Sequence, residues 1–274
     1  MLQYIKLLLR LILFGIAAVA VYVSILYALQ IDLTLWPRKE YRAPAESGVA
    51  FFAENPLKMS DGSEVMTWYA AGRKDLPAIL FFHGNAHTLS AFAPMMAPLA
   101  EKGHAILMME YRGFGKTSGT MRQERVFKDA AETYDWLAAQ GYEDIAVYGY
   151  SFGCAVAVGL TAERNVSDLI LTAPFASLSR LVKEKPVPLA DLVLQDKYKS
   201  EEIIRNYTGN LLIIHGREDR LIPYHHAEIL YNNAGSLAKK LVLLENEDHI
   251  SVFLQGKNIP AIVQYLQKYD GAAE

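Results

Sequence analysis

The sequence predicts an α/β protein with a mostly parallel central sheet and helices on both faces. Continuous apolar runs such as Ala78 to Phe82 (AILFF) and Ala105 to Glu110 (AILMME) have the character of parallel strands buried on both sides, and they alternate with helical stretches. At 274 residues, 52% of them hydrophobic, the chain can bury a full core as one catalytic-size domain.

In chain order, the first feature is Leu11 to Leu29, nineteen residues without a charge. As a helix this run is roughly 28 Å long, about one bilayer core. A secretory signal has a shorter apolar run of about 7–15 residues, and a buried core helix has a polar face, so residues 1–30 are expected to be an uncleaved, single-pass membrane anchor. Met1's amine, Lys6 and Arg10 precede the span and Arg38, Lys39 and Arg42 follow it. The flanking charges balance, and they do not choose which side the domain faces. Residues 31–48, with Pro37 and Pro44, are expected to be a linker, and residues 49–274 the catalytic domain.

Val49 to Ala53 and Val65 to Ala70 are expected as early strands separated by the turn Ser60-Asp61-Gly62. Further buried strands are expected at Ile145 to Tyr148, Leu169 to Thr172, Leu211 to Ile214 and Leu241 to Leu244. A helix from Arg122 to Gln140 puts Val126, Ala130, Tyr134 and Leu137 on one face and stops at Gly141. Pro260 suits the first position of a last helix, with Ile262, Val263, Leu266 and Tyr269 on its apolar face. Ligands on such a sheet bind at the carboxyl ends of the strands.

The chemistry starts at Gly149-Tyr150-Ser151-Phe152-Gly153, between a strand and the helical stretch CAVAVGL. A Gly-x-Ser-x-Gly turn between strand and helix holds its serine on a strained corner with the hydroxyl exposed. That hydroxyl becomes a nucleophile only when a base takes its proton, so a histidine oriented by a carboxylate is required. Asp219 follows the strand Leu211 to Ile214, and His249 follows Leu241 to Leu244, in the chain order Ser, Asp, His. The oxyanion of a tetrahedral intermediate needs donors. Phe152, after the serine, and Asn85, in FFHGNAHT, are the backbone N–H candidates.

These motifs resemble the α/β-hydrolase superfamily, nearest its monoacylglycerol-lipase and serine-aminopeptidase-like branch and that branch's membrane-anchored members. The likeness runs from Val49 to Tyr269. It implies Ser151 as nucleophile, His249 as general base and then acid, Asp219 as its orienter, and Asn85 and Phe152 as oxyanion donors. The chain departs from the family pattern in having HGNAHT for HGNAGN, Glu110 in Glu110-Tyr111-Arg112-Gly113 where the family has Asp, and Asn210 where a proline usually enters the strand. His87 is therefore expected beside the oxyanion loop. A short cap is expected over residues 174–207, between strands 6 and 7, with Leu178, Leu181, Val182, Leu189, Leu192, Val193 and Leu194 available either to line an acyl pocket or only to bury the cap on the body.

Several other chemistries are excluded. A net charge of −3 provides no footprint for nucleic acid. EYRGFGKTSG ends like a phosphate loop, but Glu110 stands where the first glycine belongs and its carboxylate repels phosphate, so no nucleotide is expected. The single cysteine, Cys154, excludes an internal disulfide and is expected as core filler. There is no His-Glu-x-x-His; His225 and His226, adjacent at a helix start, are expected to point apart, so neither metal nor cofactor is expected. The expected activity is hydrolysis of carboxylic esters or thioesters with lipid-like acyl groups, through an acyl-enzyme. Peptidase or amidase activity, or a catalytically silent membrane-tethered binding module, are the alternatives.

Overall fold

The computed structural model describes residues 1–269. Its strands, in chain order, are β1 Ala53–Glu54, β2 Leu57–Lys58, β3 Glu64–Val65, β4 Thr67–Ala70, β5 Ala78–Phe82, β6 Ile106–Met109, β7 Ile145–Tyr150, β8 Asp168–Thr172, β9 Asn210–Gly216 and β10 Lys239–Leu244. Eight of them form one sheet in the order β1-β4-β6-β5-β7-β8-β9-β10. β1 and β4 enter antiparallel, and every pairing from β6 to β10 is parallel.

From β5 the chain steps outward to β6 and then back past β5 to β7. The loops after β5 and β7 therefore leave a switch point in opposite directions and open a crevice there. Side chains alternate along β5: Leu80 and Phe82 pack on one face with Val126 and Val156, and Ile79 and Phe81 on the other with Ile262 and Leu266. Both faces are covered, which is why AILFF is apolar at every position.

The early strands differ from the sequence expectation. Val49 to Phe52 is a turn, not a strand, and Val65 to Ala70 is divided between β3, which pairs with β2, and β4, which pairs with β1 and β6. Pro56, which has no N–H, separates β1 from β2, while Asn55 N–H and Thr67 O bond at 2.7 Å across the break. The other strands fall on their expected runs. The long helix spans Gln123–Ala139 and is followed by Gly141 at φ +83°. Pro260 sits one place inside the last helix, Ile259–Leu266, with Asn258 as its cap. The side chain of Tyr269 and the domain's last residues, 270–274, lie outside the described residues.

The N-terminal helix runs from Leu2 to Leu35, longer than the expected span at both ends, and Leu2–Ile31 is long and apolar enough to cross a membrane. Up to Val21 its side chains are exposed; from Tyr22 it meets the cap. The Tyr22 hydroxyl donates to Pro188 O at 2.9 Å, Gln195 N–H donates to Gln30 Oε1 at 2.8 Å, and Leu26 and Leu35 are buried. Residues 36–48 lie along the domain, with Tyr41 edge-on to Trp68 at 6.1 Å. The cap has short helices at Leu178–Lys183, Ala190–Val193 and Ser200–Ile203. Of its apolar residues, Leu178 and Leu194 are buried, whereas Leu189 and Leu192 face solvent.

Candidate active site

β7 ends at Tyr150 and a helix starts at Phe152, leaving Ser151 as the single corner residue. Its backbone is left-handed in φ, at φ 53° and ψ −118°, a conformation that costs on the order of 1–3 kcal/mol for a residue with a Cβ. The turn is held by Ser151 N–H donating to Thr172 O at 2.9 Å and Cys154 N–H donating to Ser151 O at 3.0 Å. Its tightness depends on Gly153, whose α-carbon lies against the end of β5: a Cβ there would fall 2.7 Å from His83 O. Cys154 packs in the core, its thiol directed at Gly149 O and Thr172 O, and burial pushes that thiol's pKa up.

Ser151 Oγ lies 2.9 Å from His249 Nε2, and His249 Nδ1 lies 2.7 Å from Asp219 Oδ2. The carboxylate accepts, so Nδ1 carries the proton and Nε2 is free to accept from the serine hydroxyl. All three residues are buried, in loops at the carboxyl ends of β7, β9 and β10. Asp219 Oδ1 accepts the N–H groups of Leu221 at 2.9 Å and Ile222 at 2.8 Å. Burial alone would raise the Asp219 carboxyl, but hydrogen bonds from His215 and His249 outweigh it and hold its pKa well below the usual carboxylate range.

His215 was not singled out in the sequence. Its Nε2 lies 3.1 Å from Asp219 Oδ2 and 2.8 Å from Ile222 O, and since both partners are acceptors, Nε2 is the protonated nitrogen. The available signal was a histidine at the end of the apolar run LLII, four residues before the acid; the structure shows it fully buried. Tyr150 was also missed: its hydroxyl donates to His249 O at 2.9 Å and braces the histidine loop.

The loop after β5 brings Asn85 to the same rim. Among the described residues no acceptor takes the backbone N–H of Asn85 or of Phe152. Beneath the loop, His83 Nε2 lies 2.8 Å from Glu110 Oε1 with both side chains fully buried, and the Tyr111 hydroxyl donates to His83 O at 2.7 Å. Glu110, just after β6, thus lies inside the protein and supports this loop. Arg112 leaves the rim: its guanidinium takes Asp129 in a two-pronged bond at 2.6 and 2.7 Å and Asp61 at 2.7 Å, pinning the EYRGFGKTSG loop to the Gln123–Ala139 helix. His87 is exposed at the loop's outer edge, 6.0 Å from the Phe92 ring. A cleft of about 420 Å³ borders His249, Ile250 and Leu221, and another of about 770 Å³ lies between residues 38–47 and the loop at Ala86 to Thr88.

His225 and His226 do not point apart as expected. Their rings stack at 4.6 Å and both reach Glu184, His225 Nε2 at 3.1 Å and His226 Nε2 at 3.2 Å. The first turn of the helix leans both rings toward the cap, where Glu184 ends a short helix. These residues are close enough to share a metal ion. However, Ala176 N–H donates to His226 Nδ1 at 3.2 Å, which places the ring proton on Nε2, the nitrogen a metal would need. The donor set fits a hydrogen-bonded clasp between cap and body better than a cation.

The profile of the family described as alpha/beta hydrolase fold matches residues 77–188. The chain is 33% identical to the uncharacterized protein Rv2307c of Mycobacterium tuberculosis over 201 residues, 70% of each chain. It is 29% identical to the uncharacterized protein YfhR of Escherichia coli K12 over 205 residues, 70% of this chain and 72% of that one. It is also 29% identical to the lysophosphatidylserine lipase ABHD12 of Rattus norvegicus over 199 residues, 65% of this chain and 50% of that one. Among solved structures, the Pyrococcus furiosus esterase Pf2001 superimposes with a TM-score of 0.70 at 16% identity, covering 85% of this chain and 96% of that one.

Proposed function

We propose that this chain, which belongs to the α/β-hydrolase superfamily, is a membrane-anchored serine hydrolase that cleaves carboxylic esters or thioesters of lipid-like acyl groups. The observation that carries the reading is the relay Ser151 Oγ, His249, Asp219, at 2.9 and 2.7 Å, mounted on a corner with a strained serine. In this mechanism Ser151 Oγ attacks the acyl carbon as His249 Nε2 takes its proton. Asp219, held ionised by its donors, stabilises the resulting imidazolium. The oxyanion is received by the N–H groups of Phe152 and Asn85. His249 then protonates the leaving group, and water, deprotonated by the same nitrogen, releases the acid from the acyl-enzyme.

The substrate class has separate support. The rat relative is named a lysophosphatidylserine lipase and the structural neighbour an esterase. The apolar N-terminal helix reaches the cap at Tyr22, whose hydroxyl bonds Pro188 O beside the exposed Leu189, so a bilayer around that helix would adjoin the cap. The reading is tested by labelling the full-length protein with a fluorophosphonate. Wild type is expected to label and Ser151→Ala to lose the label at unchanged melting temperature. Undiminished labelling of that variant refutes the role of Ser151, and an inert wild type favours a silent binding module. Matched ester, thioester and amide substrates then separate the esterase from an amidase.

A further inference from the structure

The C-terminal end of the N-terminal helix and the residues after it accept hydrogen bonds from the loops of the candidate site. The last four carbonyls of a helix have no partner within it. Here Thr34 O accepts from Asn85 Nδ2 at 2.7 Å, and Leu35 O accepts from Ala86 N–H at 3.2 Å. The strap continues outward: Glu40 O accepts from Thr88 Oγ1 at 2.9 Å, and Arg38 O accepts from Gly115 N–H at 2.8 Å. Leu35 is buried in the same core cluster as Tyr111, Phe114 and Phe152.

Three of the four bonds fall on the loop from His83 to Thr88. That loop contains Ala86 at φ 64°, a left-handed conformation that an alanine holds only when its surroundings impose it. The side chain of Asn85 is engaged by the helix end, while its backbone N–H has no acceptor among the described residues. One residue therefore couples the anchor to the candidate oxyanion donor.

We propose that the end of the membrane anchor and residues 36–40 position the oxyanion loop, with the Asn85 side chain as the positioning group, so that the anchor is a working part of the active site as well as a tether. This inference rests on the serine hydrolase reading. Loss of the Asn85 amide frees its N–H from a fixed direction, and donors aimed in advance at the developing charge contribute to turnover more than to ground-state binding.

The test uses full-length protein in detergent micelles, with Asn85→Ala, which keeps the backbone N–H, and Thr88→Val, which removes an outer bond. A short p-nitrophenyl ester is expected to show kcat lower by about tenfold in Asn85→Ala and by about threefold in Thr88→Val, with KM changed less than twofold. The inhibition constant of a trifluoromethyl ketone, whose adduct carries the oxyanion, should rise by the same factors. Wild-type kcat and inhibition in Asn85→Ala overturn the proposal. So does a loss carried by KM, or one accompanied by a fall in Tm of more than about 5 °C, since that marks a structural role alone. A wild type inert to both ester and fluorophosphonate overturns the hydrolase reading itself, an outcome distinct from an active wild type with an equally active Asn85→Ala.

Discussion

Gly153→Ala is the most direct probe of how the corner at Ser151 is built. The added Cβ would lie 2.5 Å from the Phe82 carbonyl carbon and 2.7 Å from His83 O, and closer still to Phe82 O. Ordinary contact begins near 3.4 Å, and the obstructing atoms are backbone at the end of a buried strand, so no side chain can swing away. The helix from Phe152 must retreat by about 1 Å, widening the gap between Phe152 N–H and the loop at Asn85. Overpacking of this kind costs about 1–3 kcal/mol, and for a chain of this size each kcal/mol lowers Tm by about 2–4 °C. A 1 Å misplacement of reacting groups costs about a hundredfold in rate. Differential scanning fluorimetry and fluorophosphonate labelling of purified Gly153→Ala should therefore show a Tm lower by about 2–12 °C and labelling slowed about a hundredfold. Gly15→Ala, where a Cβ meets nothing within 4 Å, should match wild type in both. Wild-type Tm and labelling in Gly153→Ala would refute the packing argument.

Other expectations follow from the same geometry. His215→Leu removes a donor from Asp219, so the carboxyl rises toward its ordinary value and His249 is held less firmly; kcat/KM should fall about tenfold. Arg112→Lys cannot reproduce the fork to Asp129, whose carboxyl is pushed up by burial, and should lower stability by about 2–4 kcal/mol in a denaturation experiment. Burial lowers His226 from 6.5 to about 4 against the pull of Glu184, so below pH 6.5 the unfolded chain binds a proton that the folded one refuses. Stability is thus full above pH 6.5 and falls as pH drops toward 4, by up to about 3 kcal/mol; His226→Gln should flatten the Tm-versus-pH curve in that window. Asp219, also depressed, adds its own loss at lower pH, as it takes up its proton.

The candidate site residues could be picked out because they follow strand ends. Ser151, Asp219 and His249 each follow an apolar run, and a sheet that brings the carboxyl ends of its strands together brings such loops together as well. Asn85 was legible as part of His-Gly-Asn-Ala, but the engagement of its side chain was not, because the partner carbonyl belongs to Thr34, 51 positions earlier. His215 looked like one more strand residue, since a strand end does not reveal which side chain turns back on the acid. The strand expected at Val49 was an overreading of apolar residues: Val49 and Phe52 are buried by packing in the cluster of Trp68, not by a ladder.

Local pattern alone determined the alternation of strand and helix, the strained corner around Ser151, and the presence of an apolar segment long enough for a bilayer. Periodicity, glycine placement and segment length are properties of neighbouring residues. The tertiary structure decided what those segments touch: that the end of the N-terminal helix accepts hydrogen bonds from the loop at Asn85, that Glu110 and His83 lie buried under it, and that His225 and His226 converge on Glu184. Each of these contacts joins residues from different elements, and their distances are fixed by how the sheet twists and the helices pack.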